Sequence, residues 1–267
     1  MPYYMCATCG VQYTASEQPP EHCIICEDER QYIGANGQQW MLLDDLRRHH
    51  HNVFTSLIPN LTSVVTEPKF AIGQRAHIVQ TPKGNVLWDC ISLIDDTTVE
   101  KIQALGGLTA IALSHPHYYS TIVEWSKAFG NIPVYIHSGD RQWVTRPDSV
   151  VQFWEGDTLP IGEGLTLIHC AGHFDGASVL HWRDGAEGQG VLLTGDTIFI
   201  VSDTRYVTFM YSYPNYIPLP ARKIQTIVNA VEPFAFDQIY DAFGRIVKAD
   251  AHGAVSRSAQ RYVKAIT

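Results

Sequence analysis

The chain has 267 residues, 45% of them hydrophobic and 17% charged, enough for one medium domain and a small appendage at roughly 150 residues per domain. No apolar run approaches the ~18 residues of a membrane span, and Met1-Pro2-Tyr3-Tyr4-Met5-Cys6 shows neither a basic leader nor an apolar export stretch, so a cytoplasmic protein that does not engage a membrane is expected. A formal net charge of −8 without any basic block argues against nucleic acid as a partner.

In chain order the first feature is a pair of metal clips. Four of the six cysteines form Cys6-x-x-Cys9 and Cys23-x-x-Cys26, tight turns whose thiolates can face one ion, with residues 10–22 as the loop between them. Gly10 supplies the positive φ that such a turn requires. So short a segment cannot stabilise itself by apolar burial alone, and metal binding is expected to be part of its folding. The segment resembles a zinc ribbon, which implies a structural zinc on Cys6, Cys9, Cys23 and Cys26 and leaves room for a protein partner. His22 reads as a bystander. Glu27-Asp28-Glu29-Arg30 reads as a solvated charge run, and the turn-rich Gly34-Ala35-Asn36-Gly37 places the boundary near residue 38. The expected domains are therefore 1–38 and 39–267.

Trp40 to His51 reads as a short amphipathic helix, with His49-His50-His51 diverging around it rather than converging on an ion. Ser63–Val65, Phe70–Gly73, Ala76–Gln80 and Val86–Asp89 read as a strand meander, turning at Pro82-Lys83-Gly84-Asn85. Helices are expected at Thr97–Leu105, Ser120–Phe129 and Ala221–Val231. Apolar runs at Thr109–Leu113, Val134–Ile136, Leu165–Ile168 and Val191–Leu193 have the character of buried strands. Ser178–Trp182 and Gln238–Tyr240 are further strands, and Asp184–Gly190 is a glycine-rich loop. The pattern predicts an α/β domain with helices flanking its sheets.

Three buried runs are followed by ligand-type side chains: Ser114-His115-Pro116-His117-Tyr118-Tyr119-Ser120, then His169-Cys170-Ala171-Gly172-His173, then Thr194-Gly195-Asp196-Thr197. Strands that run alike deliver these to one sheet edge. Imidazoles and a carboxylate are the donor set for zinc or iron, with positions left for water. Gly172 and Gly195 permit sharp turns just before their ligands. Neither Gly-x-Ser-x-Gly nor a phosphate-binding loop occurs, so a serine nucleophile finds no support.

The order His-x-His, Gly-His and Leu-Leu-Thr-Gly-Asp-Thr resembles the metallo-β-lactamase fold superfamily over roughly residues 60–245. The resemblance implies a four-layer αββα sandwich with a metal site on one rim. It also implies hydrolysis of esters, thioesters, lactones, lactams or phosphoesters, with some branches using iron for oxidation. Family members show His-x-His-x-Asp-His. Here Tyr119 and Ser120 stand where the aspartate and last histidine fall, and Phe243 stands where the closing histidine is expected. The resemblance therefore implies one metal, on His115, His117 and His173 with Asp196 beside them, rather than two.

The expected function is a mononuclear metallo-hydrolase acting on a small-molecule ester or thioester. Asp196 is expected to orient the water or complete the coordination, and Tyr118 or Tyr119 to donate to the developing oxyanion or the leaving group. Asp89, matching an early strand-end aspartate of the family, should brace the site. Two alternatives stay open: a mononuclear iron oxygenase on His115, His173 and Asp196, and a catalytically silent binding scaffold. Tyr206, Phe209, Tyr211, Tyr213 and Tyr216 suit a pocket wall and ordinary packing equally well. Cys90 and Cys170 read as buried small hydrophobes, His77, His137, His169 and His181 as core or hydrogen-bonded histidines, and His252 as a surface helix residue.

Overall fold

Short runs of Val, Ile, Leu and Ala become strands here because alternate side chains serve two apolar layers. In the computed structural model, which describes residues 1–267, β1 (Tyr4–Cys6) pairs antiparallel with β2 (Trp40–Leu42), and a short helix, α1 (Leu43–His49), follows. An antiparallel meander, β3 (His51–Ile58), β4 (Leu61–Glu67), β5 (Arg75–Val79) and β6 (Val86–Trp88), begins the first sheet. After α2 (Asp96–Ala104) come β7 (Ala110–Ala112), α3 (Ile122–Ala128), β8 (Val134–His137) and β9 (Val151–Trp154), which extend the sheet in parallel. The second sheet starts with β10 (Thr158–Gly162), β11 (Leu165–His169) and β12 (Ser178–Trp182); a single turn, α4 (Gly185–Gly188), then leads to β13 (Val191–Leu193). Two small hairpins, β14 (Phe199–Ile200) with β15 (Val207–Thr208) and β16 (Met210–Ser212) with β17 (Ile217–Pro218), precede α5 (Ala221–Val231). β18 (Gln238–Tyr240) returns parallel to β13, β19 (Ile246–Val247) closes that edge, and α6 (Ala251–Ile266) ends the fold.

The pleat sorts the side chains into three apolar layers. Ala110, Ala112, Val86 and Trp88 from the first sheet meet Leu180, Trp182, Val191 and Leu193 from the second. Their strand neighbours Leu87 and Ile111 face outward onto Ile102, Ile122 and Trp125 of α2 and α3. Val179, Leu192 and Ile239 face the opposite way onto Ile224, Ile227 and Val231 of α5 and Ala251 and Val255 of α6. This is the four-layer αββα sandwich expected. Met5, Cys6, Cys9, Cys23, Ile25 and Cys26 belong to the same apolar layer as α2 and α3, so the cysteine-bearing turns pack as part of the first helical layer.

Several expectations are corrected. Trp40–His51 is not one helix: Trp40–Leu42 pairs with Tyr4–Cys6, and His51 opens β3. Phe70–Gly73 is a turn, closed by Gly73 N donating to Phe70 O at 2.9 Å, with Ala71 and Gly73 at positive φ, which no ladder accommodates. The 184–190 loop contains a helical turn with Ala186 and Glu187 in left-handed conformation. β3, β9, β10 and α6 carry no clear apolar signal: β3 and β10 are edge strands with mixed exposure, and α6 buries mostly small side chains, Ala251, Ala254 and Ala259 among them.

Candidate metal centre

β11 and β13 are each antiparallel to the intervening β12 and so run alike, ending at the same rim as β7. After β7, His115 is extended and His117 sits in the 3-10 turn Pro116–Tyr118. After β11, Ala171 and Gly172 take φ of 53° and 88°. A Cβ on Gly172 would lie 2.8 Å from Ile227 Cδ1 of α5, so glycine lets the loop press against that helix and present His173. After β13, a Cβ on Gly195 would lie 2.5 Å from Ser114 Oγ; glycine there brings Asp196 against the β7 ligand strand.

The ligand atoms of His115, His117, His173 and Asp196 all lie within 4.8 Å of one another, and all four residues are buried. The ring centroids of His115, His117 and His173 are 4.8–5.3 Å apart. Asp196 Oδ2 is 3.7 Å from His115 Nε2 and 4.0 Å from His117 Nδ1. The three Nε2 atoms and Asp196 Oδ1 have no hydrogen-bond partner. Buried polar atoms are ordinarily paired, and four buried ligand-type side chains gathered in one place, each with an unpaired polar atom, fit a cation.

Protonation agrees with that reading. Burial drives His115 down to about 4, outweighing the pull of the nearby Asp196 carboxylate, and drives His173 well below the ordinary imidazole range, helped by His115 and His117. Burial pushes the Asp196 carboxyl up, but the nearby His115 and His117 rings overcome it and hold the group below the usual carboxylate range. A neutral His115 and a neutral His173 beside an ionised carboxylate are the ligand state of a metal site. His173 Nδ1 lies 3.1 Å from Met210 O, an arrangement in which Nδ1–H donates outward and Nε2 keeps its lone pair inward. Asp89 Oδ1 accepts from Ser114 N at 2.8 Å, and Ser114 Oγ lies 2.9 Å from His115 Nδ1, so Asp89 braces the first ligand strand.

The four cysteines form a second cluster, also within 4.8 Å and buried. Cys6 Sγ is 3.5 Å from Cys26 Sγ, and Cys9 Sγ is 3.6 Å from Cys23 Sγ. A tetrahedron with metal–sulfur bonds of about 2.3 Å has edges of ~3.8 Å, so the thiols already stand at ligand spacing. All six cysteines are free thiols. Cys90 and Cys170 lie in the core.

Tyr118 is fully buried, its ring 5.2 Å from that of His115, and its hydroxyl has no partner. Tyr119 is not brought to the cluster: it packs in the first helical layer and lines a separate gap with Val11, Val123 and Val144. Ser120 turns away and donates to Cys90 O. Phe243, 39% exposed, lines a cleft of about 200 Å³ that opens onto His117 and Asp196, with Arg30, Gln31, Lys69 and Tyr213. Tyr213 Oη donates to Asp196 O at 2.8 Å, Tyr211 lies under Arg30, Phe209 is core and Tyr216 is exposed. His252 is far from the rim, its Nε2 3.1 Å from Glu232 O. Arg30, Gln31 and Lys69 are the residues that sequence reasoning missed; their only signal is three-dimensional.

No family profile matches the chain. Among solved structures it is similar to DIM-1 metallo-β-lactamase (TM-score 0.61, 11% identity, 81% of this chain and 98% of that one). It is also similar to the metallo-β-lactamase FIM-1 from Pseudomonas aeruginosa in its mono-zinc form (TM-score 0.57, 17% identity, 79% and 95%). The fold is that of the metallo-β-lactamases, with a possible metal site of three histidines and an aspartate at its rim. The chain is 52% identical over 268 residues to YmaE of Bacillus subtilis strain 168, described as an uncharacterized protein, covering 100% of this chain and 97% of the relative. It belongs to the family of YmaE. No helix is long and apolar enough to cross a membrane.

Proposed function

We propose that this protein is a mononuclear metal-dependent hydrolase acting on an ester, thioester or related acyl bond of a small molecule. The observation that carries this reading is the gathering of four buried ligand-type side chains, His115, His117, His173 and Asp196, each with an unpartnered polar atom, beside an open cleft. The three histidines and Asp196 would hold the ion, zinc being the metal this donor set favours. When bound, such an ion supplies Lewis acidity, bringing the pKa of a water toward ~7 and polarising an acyl carbonyl.

The chain's own groups supply the rest. Asp196 Oδ2 faces the histidines, which leaves Oδ1 to orient the attacking water and take its proton. The Tyr118 hydroxyl, buried without a partner, donates to the acyl oxygen as charge develops there. Of the two tyrosines, Tyr118 is the one whose ring lies beside His115, at 5.2 Å, and this supports assigning the role to it. Tyr213 fixes the Asp196 loop through the carbonyl of that residue, and the Phe243 and Tyr32 rings narrow the cleft.

A single ion is supported by the side chains at the three departing positions: Tyr119 lies in the core, Ser120 is engaged with Cys90, and Phe243 is a hydrocarbon. The mono-zinc form of FIM-1 is a neighbour that holds one zinc in this fold. Elemental analysis of tag-free protein tests the reading, with two metals per chain expected in wild type and one after His115→Ala combined with His117→Ala. A panel of aryl esters and thioesters should be turned over only without chelator. An unchanged metal count, or no metal-dependent turnover on any of the panel, sinks it.

A further inference from the structure

The four-cysteine cluster and the histidine cluster are joined by two side chains. Gln74, on the loop before β5, donates through Nε2 to Cys9 O at 2.6 Å and to His117 O at 3.0 Å. One amide thus bridges the backbone of a cysteine ligand and that of a histidine ligand.

Arg30 makes the other bridge from the Cys23–Cys26 turn. Its Nε and Nη2 grip the Asp28 carboxylate at 2.5 and 2.7 Å, while Nη1 donates to His173 O at 3.2 Å. Its guanidinium lies 3.9 Å over the ring of Phe174. Phe174 is fully buried and rests against all three histidines, with centroids 5.6, 5.1 and 5.1 Å from His115, His117 and His173. Asn215 fixes the backbone on both sides of Arg30, donating to Glu29 O at 2.8 Å and Gln31 O at 3.1 Å. Further along the seam, Ser92 Oγ donates to Gly10 O and Gln12 N to Ser120 O, both at 3.0 Å.

We propose that the four-cysteine cluster sets the metal affinity of the histidine site, with Gln74 and Arg30 as the positioning residues that carry the coupling. Groups that orient metal ligands from behind typically govern affinity by about 10–100-fold. Here two of three imidazole ligands have their backbone held by side chains that also grip or belong to the cysteine segment. Linkage then runs both ways: filling either site tightens the other by the same factor.

The test begins with the cysteine cluster loaded with zinc, followed by titration of the second site with cobalt(II), read by its visible d–d bands. Gln74→Leu and Arg30→Met should each weaken cobalt binding by about 10-fold or more, with one zinc retained and near-ultraviolet dichroism unchanged. Arg30→Lys should not restore affinity, because a lysine keeps the charge but loses the flat fork and the stack. Cobalt affinities within twofold of wild type in both variants overturn the coupling.

A second measurement needs neither variant. In competition with a chelator at equilibrium, the cysteine cluster should hold its metal several-fold more weakly in His115→Ala protein than in wild type whose histidine site is filled; equal affinities overturn the coupling. The inference rests on the histidine cluster being a metal site. Wild type that takes up no cobalt there removes that foundation, whereas tight uptake indifferent to the variants removes the coupling alone.

Discussion

Tyr118 is the residue at which structure and chemistry can be separated most cleanly. Its hydroxyl is buried without a partner, and burial, with Asp196, Asp89 and Asp241 nearby, raises it well above the ordinary phenol range, so it remains a donor. Tyr118→Phe should leave the metal count and the melting temperature unchanged or slightly raised, since an unsatisfied buried hydroxyl is costly, while kcat falls by about 10²–10³ as for a lost oxyanion donor. A fall in stability with unchanged kcat would make Tyr118 a packing residue. At this scale His115, His117, His173 and Asp196 were legible because ligand-type residues rarely cluster after buried strands and the glycines preceding two of them mark the turns. Arg30 was not legible. Inside Glu27-Asp28-Glu29-Arg30 it has every local mark of a solvated charge, yet its side chain is only 12% exposed, because Phe174, far along the chain, supplies a ring for it to lie on. Tyr119 misled for the complementary reason: adjacency to a ligand in sequence does not fix which way a side chain points out of a 3-10 turn.

Among the elements, the parallel pair β13 and β18 matters most to the rim, since Asp196 follows the one and Asp241 the other. The turn into this pair depends on Gly190, at φ 83°, where an added Cβ would fall 2.1 Å from Ala235 O. Gly190 O in turn accepts from Asp237 N at 3.0 Å, tying the start of β18 to the start of β13. Gly190→Ala should therefore cost at least ~2 kcal/mol from backbone strain and overlap, read as a lowered urea midpoint, and should loosen Asp196 along with the ladder. A midpoint within error of wild type would show that the 184–190 loop can relocate freely. Strands buried on both faces, such as β7 and β13, were readable from sequence because a short unbroken apolar run bounded by turn residues suits a strand covered on both sides and little else. β3 was not, because an edge strand keeps one side in water. The 70–73 turn was misread because Phe70 and Ile72 alternate as a strand would, while the backbone at Ala71 and Gly73 goes left-handed.

For the molecule as a whole, two buried groups shape stability against pH. Burial raises Asp140 to about 7, against the Gly176 N–H and Arg30 that favour its charge, so between about pH 4 and pH 7 the folded chain keeps a proton that the unfolded chain has released. By linkage its contribution falls as pH rises through that window. Burial, with Arg75 nearby, depresses His77 to about 3, so between about pH 6.5 and pH 3 the unfolded chain gains a proton first, and stability falls as pH drops. Asp140→Asn should stabilise the protein at pH 8 relative to wild type and leave it little changed at pH 4, in thermal melts at both pH values. Equal shifts at the two pH values would show that the carboxyl is ionised throughout.

The seam between the cysteine cluster and the rim also bears on how the chain is made. The four thiols leave the ribosome long before His117, His173 and Asn215, yet the segment that bears them is tied to these distant residues through Gln74, Arg30 and Asn215. Contacts so far apart in sequence form late, and a nascent chain is vulnerable while they are missing. Through most of translation the cysteine segment thus lacks the ties that fix it to the rim. Yield of correctly assembled protein should follow the metal supply of the cell during synthesis more closely than the stability of the finished fold.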